Sequence, residues 1–424
     1  MFKTIAFRRS FGTIGLLRDA QKTNIEARVL SRILNPVADG VDDPTIKSGW
    51  KLWATHLFQS KDQTIHRLKM LQNKLMDTNN LTTGTKSNKM LFNEINQWHY
   101  QNLNATEVTT PTLLVHGYAA TSTSFFRIFE YLTKSFRDVH AIDLPGNGLS
   151  FTPELDIGTT EPLPLEVQDV GKDGKYKVSY TIDENHHKYV IQKMEDYYID
   201  RIEQWRLDNK LPSINVVGHS FGGYLSFKYA VKYPRSVNCL ALVSPLGMER
   251  NLYSVNNGLY SNTIYQRDYD NCNSPHYDRR FKLNQFLFER QLRPLRWLGP
   301  LGAKLCWNYI RAAYQRVPSL EYKEYAFETF YGKGGLPPQT AQIFTKLFNN
   351  SLLAKDPILD SLHHLHTKKL LLMYGQYDWM NKNAGRIMAS TVPAAQYAEI
   401  PDAGHNIFLD NPDHFSKTLT EFLS

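Results

Sequence analysis

The chain has 424 residues, 42% of them hydrophobic, and its 49 basic residues exceed its 41 acidic ones to give a net charge of +8. A chain of this length buries its core without cross-links, and Cys239, Cys272 and Cys306 lie too far apart for a disulfide framework or a paired metal site. The positive charge favours nucleic acid or acidic lipid, but no zinc-finger, RNA-binding or basic-region pattern supports nucleic acid.

The N-terminus has the composition of a targeting segment. Four basic residues precede the first acid, Asp19, and Arg8 with Arg9 interrupts the apolar run that a secretory signal would need. We therefore predict a mitochondrial presequence over residues 1–20 and a matrix-side location. A disordered basic arm or a helix on a membrane surface is the alternative. No uncharged apolar stretch of spanning length follows, so we expect membrane contact to be peripheral.

The predicted elements then change character along the chain. Residues 21–88 are predicted to form a helical N-terminal extension, because apolar residues recur at helical intervals over 23–34 and 50–76, with a polar link over 79–88. Beyond it, short apolar runs alternate with helical segments, which indicates a parallel sheet covered on both faces. The predicted strands are 112–116, 139–143, 214–218, 240–244, 370–374 and 397–400.

Two insertions interrupt this alternation. Residues 151–187 contain a predicted hairpin around 172–175. Residues 249–355 are helical and rich in aromatic side chains, and they follow a strand at whose end they could fold over the sheet as a lid. The remaining parts, 89–248 and 356–424, are predicted to be the first and second halves of one core.

A nucleophile motif lies between a predicted strand and a predicted helix. In Gly218-His219-Ser220-Phe221-Gly222, a strained strand-to-helix turn would present Ser220, and the close approach of the backbone requires glycine at positions 218 and 222. The alternative is an ordinary structural turn.

A serine hydroxyl needs a base, and the base needs a third group to orient it. Asp378 follows the strand 370–374, and His405 follows the strand 397–400. Both loops are at the carboxyl edge of the sheet, where the elbow presents Ser220. Asp402 and Asp410 are rival acids, but Asp402 shares a tight loop with His405, and Asp410 is expected to open the last helix.

Two backbone amides are expected to stabilise the oxyanion, those of Tyr118 and Phe221. His116 is expected to brace the Tyr118 loop rather than to act in catalysis. The glycine-rich turn over 143–150 lacks a phosphate-binding lysine and is predicted to be scaffold. We expect neither metal nor cofactor.

From about residue 110 onward, H-G, D-x-P-G-x-G-x-S, G-H-S-x-G-G and G-H occur in the order seen in the α/β-hydrolase superfamily, which the chain resembles. The resemblance implies a mostly parallel sheet flanked by helices, with the lid inserted after the sixth strand. His405 to Asp410 also resembles the H-x-x-x-x-D element of a lipid-handling subfamily. That subfamily includes lysophosphatidic acid acyltransferases, a lipid-droplet lipase coactivator and the cardiolipin-specific deacylases of yeast mitochondria.

The resemblance implies a phospholipid or lysophospholipid substrate, so we expect a serine-dependent deacylase of cardiolipin or a related glycerophospholipid. The alternatives are an acyl-CoA-dependent lysophospholipid acyltransferase and a non-catalytic lipase coactivator, and the intact Ser220 argues against the latter. Residues 249–316 hold eleven basic side chains against five acidic ones. With the apolar stretches 292–301 and 305–310, they predict a surface that docks on anionic membrane, unless these residues pack on the core.

Overall fold

The structure is a computed structural model and describes residues 46–91, 94–155, 165–332, 336–393 and 395–424. The predicted presequence over 1–20 and the helical pattern over 23–34 lie outside these residues. Among the described helices, none combines the length and the apolar character that crossing a bilayer requires.

Within the described residues, two helices precede the sheet, α1 (Ile46–Phe58) and α2 (Lys61–Asp77). The helical pattern predicted as continuous over 50–76 is divided into two helices because Ser60 caps the start of α2. The Ser60 side chain accepts a hydrogen bond from the Gln63 amide, and the Gln63 side chain accepts one from the Ser60 amide. Arg67 of α2 donates to the buried carboxylate of Glu328 at 2.8 Å. The N-terminal helices are therefore attached to the later part of the chain.

Eight strands of the described residues form one sheet. They are β1 (Thr85–Leu91), β2 (Ile95–Gln101), β3 (Thr112–Val115), β4 (Asp138–Ile142), β7 (Ile214–His219), β8 (Val237–Val243), β10 (Lys369–Gly375) and β11 (Ala395–Ile400). Their order is β1-β2-β4-β3-β7-β8-β10-β11, antiparallel at the first two pairings and parallel in the others.

The structure confirms all six predicted strands to within a few residues, and β8, which precedes the lid, is the sixth strand of the sheet in chain order. The prediction was wrong over 85–88, where the expected polar link is the start of β1. This strand lies at the sheet edge and none of its residues is fully buried, so it carries no long apolar run.

Helices cover both faces of the sheet. They are α3 (Phe129–Ser135), α4 (Glu184–Asp208), α5 (Phe221–Lys232), α11 (Lys382–Thr391), α12 (Ile407–Asp410) and α13 (Pro412–Leu423). In β3, Leu113 and Val115 pack into one core, and Leu114 packs into the other. Because its strands are buried on both faces, the sheet shows continuous apolar runs rather than alternation.

The two insertions meet beside the sheet. The predicted hairpin is confirmed as β5 (Val167–Val170) and β6 (Lys175–Val178), and β9 (Tyr265–Gln266) pairs with β6. The lid holds the helices α6 (Gln285–Arg290), α7 (Arg293–Trp297), α8 (Gly299–Ala313), α9 (Leu320–Tyr331) and α10 (Pro338–Leu347). Helix α1 packs against α8, and α2 packs against α9.

Candidate active site

The turn between β7 and α5 holds Ser220 in a backbone conformation that few residues adopt, with φ 54° and ψ −116°. A Cβ atom at Gly218 would lie 2.5 Å from the Gly222 carbonyl oxygen, and one at Gly222 would lie 2.3 Å from the His116 carbonyl oxygen. Only glycine fits at either position without displacing backbone. The strained turn therefore presents Ser220 at the carboxyl end of the central strand, beside the loop that follows β3.

His405 and Asp378 meet at the same edge of the sheet. The Nδ1 atom of His405 lies 3.1 Å from Oδ1 of Asp378, whose side chain is fully buried. Burial favours the neutral carboxyl, but the charge and the hydrogen bond of His405 outweigh it and hold the pKa of Asp378 below its ordinary value. Because a carboxylate only accepts, Nδ1–H is the donor, and Nε2 keeps the lone pair that a general base requires.

His219 connects this pair to the serine turn, a role that the sequence analysis missed. Its Nε2–H donates to the His405 carbonyl oxygen at 3.0 Å, and the two rings lie 4.8 Å apart. Burial, and then the neighbouring His405, lowers the pKa of His219 to about 3, so the ring is neutral. Among the described residues no hydrogen bond joins Ser220 Oγ to His405 Nε2, and such bonds often form only with substrate bound.

The two expected oxyanion donors lie in the chain next to Ser220 and in the loop that passes beside it. A Cβ atom at Gly117 would lie 3.1 Å from the Ser220 Cβ, so the loop that carries Tyr118 passes directly beside the nucleophile. Neither the Tyr118 nor the Phe221 amide donates a hydrogen bond within the described part of the chain, and both remain available to a ligand.

His116 braces this loop, as expected. Its Nδ1–H donates to the Gly117 carbonyl at 2.8 Å, and its Nε2 accepts from the Leu144 amide at 2.9 Å. The buried Asp143 carboxylate likewise accepts from Ser122 and from the Leu149 amide. The glycine-rich turn is therefore scaffold.

The rival acids lie elsewhere. Asp402 is exposed, and Asp410 accepts a hydrogen bond from the Gly404 amide at 2.8 Å, next to His405 in the chain. The expectation that Asp410 opens the last helix was wrong, because Asp410 ends α12 and Asn411 caps α13. Asp410 instead holds the loop that carries His405, and Arg316 from the lid lies 3.6 Å from its carboxylate.

The lid contributes an aromatic side chain that contacts the rings of Tyr118 and Phe221. The Phe344 ring of α10 lies 4.0 Å from the Tyr118 ring and 5.6 Å from the Phe221 ring. Next to Asp378, Trp379 lies 5.0 Å from the His405 ring. No local motif marks these two residues, because their role depends on contacts between distant parts of the chain.

One group of possible metal ligands occurs in the described residues, formed by His99, Asp138 and His140 on β2 and β4. The two imidazole rings are stacked 4.2 Å apart and inclined by only 4°. Lone pairs on imidazole nitrogens lie in the ring plane, so these rings cannot direct lone pairs at one ion without rotating. His99 Nε2 instead donates to Asp138 at 2.9 Å.

Proteins of known sequence or structure that resemble this chain share this architecture. A profile of the alpha/beta hydrolase fold matches residues 110–412. The chain is 54% identical over its full length to Protein ECM18 of Saccharomyces cerevisiae, covering 94% of that protein. It is 44% identical to 1-acylglycerol-3-phosphate O-acyltransferase ICT1 of the same yeast, over 85% of this chain and 93% of the relative. A solved esterase from Exiguobacterium antarcticum shares the fold with a TM-score of 0.50 and 14% identity, covering 80% of this chain and 99% of the esterase.

Proposed function

This chain belongs to the α/β-hydrolase fold family, in its branch of lipid acyl hydrolases and acyltransferases, and we propose that it is a serine-dependent phospholipid deacylase. The observation that carries the proposal is the hydrogen-bonded pair of His405 and Asp378 beside the strained Ser220 turn. Cardiolipin is the first substrate to test, because the lipid-handling subfamily whose H-x-x-x-x-D element His405 to Asp410 resembles includes mitochondrial cardiolipin deacylases.

In the first half-reaction, Ser220 Oγ attacks the ester carbonyl while His405 Nε2 takes its proton. The Tyr118 and Phe221 amides donate to the oxyanion, and the Asp378 carboxylate stabilises the imidazolium. When the tetrahedral intermediate collapses, the C–O bond breaks, and His405 returns the proton to the leaving glycerol oxygen. The products are lysophospholipid and an acyl ester on Ser220.

In the second half-reaction, an acceptor hydroxyl loses its proton to His405 and attacks the acyl carbonyl. The bond to Ser220 Oγ then breaks, and His405 returns the proton to that oxygen. Water as the acceptor gives a fatty acid, and a lysophospholipid hydroxyl gives a diacyl lipid. An acyltransferase is therefore the second candidate, and the name of the relative ICT1 favours it. For a non-catalytic coactivator, the third candidate, the Ser220 turn and its oxyanion donors would have no use.

A product analysis tests these alternatives. We would incubate the wild type and Ser220→Ala with cardiolipin, phosphatidylethanolamine or lysophosphatidic acid, with and without isotope-labelled acyl-CoA, and identify the products by mass spectrometry. Free fatty acid and lysolipid that require Ser220 are the expected result. Labelled diacyl product would identify the transferase instead. Equal activity of the two proteins would refute the serine mechanism.

We also propose that the enzyme docks on anionic membrane, through a narrower surface than the charge count predicted. Arg267, Arg279 and Lys282 form ion pairs with acids, and Cys306 and Ile310 in the stretch 305–310 are buried. When the paired cations and the buried residues are set aside, an exposed apolar patch is left as the membrane-binding candidate. We call this patch the docking surface. It consists of Trp50, Phe286, Leu287, Trp297, Leu298 and Leu301, whose exposed fractions are 50% or more.

The docking surface joins the lid to the N-terminal helix. The Trp50 and Trp53 rings are 5.3 Å apart, and a Cβ atom at Gly299 would lie 3.6 Å from Trp53 Nε1. Arg290 lies over the Phe286 ring, so a cation borders the apolar side chains. Exposed tryptophan and leucine next to arginine suit the interface of an anionic bilayer.

Sedimentation with phosphatidylcholine vesicles, with and without cardiolipin, tests the docking surface. Trp297→Ala combined with Leu301→Ala should reduce binding to both vesicles, and Arg290→Glu should reduce only the part that depends on cardiolipin. The matched control is Leu103→Ala, which changes an exposed apolar residue outside the docking surface. Binding unchanged by both sets of substitutions would exclude the surface.

We propose a mitochondrial, matrix-side location on the basis of the N-terminal composition alone. Import of the full chain into isolated mitochondria, followed by protease protection after rupture of the outer membrane, tests it. Arg8→Glu with Arg9→Glu should abolish import, and import that is unchanged would contradict the presequence.

A further inference from the structure

A cavity of about 360 Å³ lies between α4, α10 and the chain that enters the lid. Its base consists of buried apolar side chains, among them Val190, Met194, Val255 and Phe288. This volume is near the lower end of the range of ~300–1,000 Å³ in which proteins bind small organic ligands. It can receive one alkyl chain but not a whole diacyl phospholipid.

Among the described residues, the charged part of the lining has a single sign. Lys346 and Lys355 contribute to it, and the described residues that line the cavity include no aspartate or glutamate. The side-chain nitrogen of Asn349 is buried there and donates no hydrogen bond to a described residue. An apolar base with cationic groups and an amide donor is complementary to a lipid that has one chain and an anionic headgroup.

The cavity is separated from the nucleophile by aromatic rings. Phe288 and Phe348 line it, and the Phe344 ring lies 6.3 Å from the Phe288 ring and 4.9 Å from the Phe348 ring. Phe344 also contacts Tyr118, one of the two oxyanion donors. Phe344 therefore lies between the rings that line the cavity and the side chain of Tyr118.

We propose that this cavity binds a single-chain lipid with an anionic headgroup, either the lysophospholipid that leaves or accepts the acyl group or the released fatty acid. The connection to turnover rests on the proposed function, because it supposes that Ser220 carries the acyl group. Binding itself requires no chemistry and is measured independently of it.

The test uses Ser220→Ala protein and three ligands that carry the same photoreactive alkyl chain: a lysophosphatidic acid, a fatty acid and a neutral monoacylglycerol. Lysophosphatidic acid or fatty acid should bind at least about tenfold more tightly than monoacylglycerol in calorimetry. The tighter of the two identifies phosphate or carboxylate as the headgroup. After irradiation, the label should map to peptides containing Val190, Met194 or Phe288. Equal binding of all three ligands, or a label only on other peptides, would overturn the proposal.

Two substitutions locate the binding energy. Val190→Trp fills the cavity and should weaken binding of the anionic lipids about tenfold or more, whereas Tyr189→Trp, on the exposed face of the same helix, should not. Lys346→Glu should remove the preference over monoacylglycerol, with Lys368→Glu on the surface as the control. Unchanged binding in folded Val190→Trp would refute the site. If Val190→Trp does not fold, the labelling decides. Loss of hydrolysis in Ser220→Ala tests the catalytic proposal separately.

Discussion

The contact of Asp410 with the loop that carries His405 can be tested directly. Its carboxylate accepts a hydrogen bond from the amide of Gly404, the residue before His405, at 2.8 Å. Only 13% of the Asp410 side chain is exposed. Burial raises the pKa of Asp410 above its ordinary value. Asp410→Ala removes the acceptor, whereas Asp410→Asn retains an oxygen that can accept the same hydrogen bond. The pair of variants therefore separates the hydrogen bond from the charge.

The expected magnitude follows from a single contact. A hydrogen bond to a charged group contributes about 1.5–3 kcal/mol, and each ~1.4 kcal/mol corresponds to a factor of ten. If that energy orders the His405 loop, Asp410→Ala should lower kcat/KM about 10- to 100-fold. Asp410→Asn should lose less than about tenfold, because the neutral amide oxygen accepts a weaker hydrogen bond.

The assay is hydrolysis of a soluble p-nitrophenyl ester, combined with the rate at which a fluorophosphonate labels Ser220 and with the melting temperature. Asp413→Ala, at an exposed acid in the first turn of α13, is the matched control. Full activity of Asp410→Ala would refute the bracing role. So would equal losses in the Asn and Ala variants with unchanged melting, because the charge would then matter and not the hydrogen bond.

Three further predictions concern groups around the site. Asp378→Asn should lower kcat about 10³- to 10⁴-fold, because an amide cannot stabilise the imidazolium; a rate close to the wild type in steady-state assays would remove Asp378 from the catalytic set. His219→Phe keeps the ring but loses the hydrogen bond to the His405 carbonyl, so kcat should fall about three- to tenfold with little change in melting, and an unaltered kcat would exclude this positioning role. Burial raises the pKa of Glu195 to about 7, so its contribution to stability is complete below the unfolded value and is lost as the pH rises through about 7. Urea unfolding between roughly pH 5 and 8 should show this decline in the wild type but not in Glu195→Gln, and parallel curves would contradict it.

Local sequence patterns predict those parts of the molecule whose structure is determined within a few residues. These are the buried strands and the turns that follow them. The apolar runs of β7 and β10 are buried on both faces, and this burial makes them recognisable as strands. The sequence predicts Ser220, Asp378 and His405 as site residues because each lies in a turn or loop that follows such a strand. Their approach at one edge is a consequence of parallel topology, which the motif order predicts.

The residues that were missed depend on contacts distant in sequence. Strand β1 lies at the edge of the sheet, and none of its residues is fully buried. It is therefore polar, and its composition resembles that of a loop. The contact of Phe344 with Tyr118 joins residues of the lid and the oxyanion loop, and the contact of Arg316 with Asp410 joins the lid to the residue that holds the His405 loop. A helical pattern predicts that α10 exists but not which face it presents. His219 was within a recognised motif, but its bond to the His405 backbone requires the assembled fold.

The attachment of the N-terminal helices has a practical consequence for work with shortened forms of the protein. Glu328 is almost wholly buried, and Arg67 and His56 are its partners from α2 and α1. A protein cut back to the first strand would lose both of these partners and would uncover the surfaces of α8 and α9 on which α1 and α2 pack. A weak or inactive fragment would therefore report the loss of these contacts and not the intrinsic chemistry of Ser220.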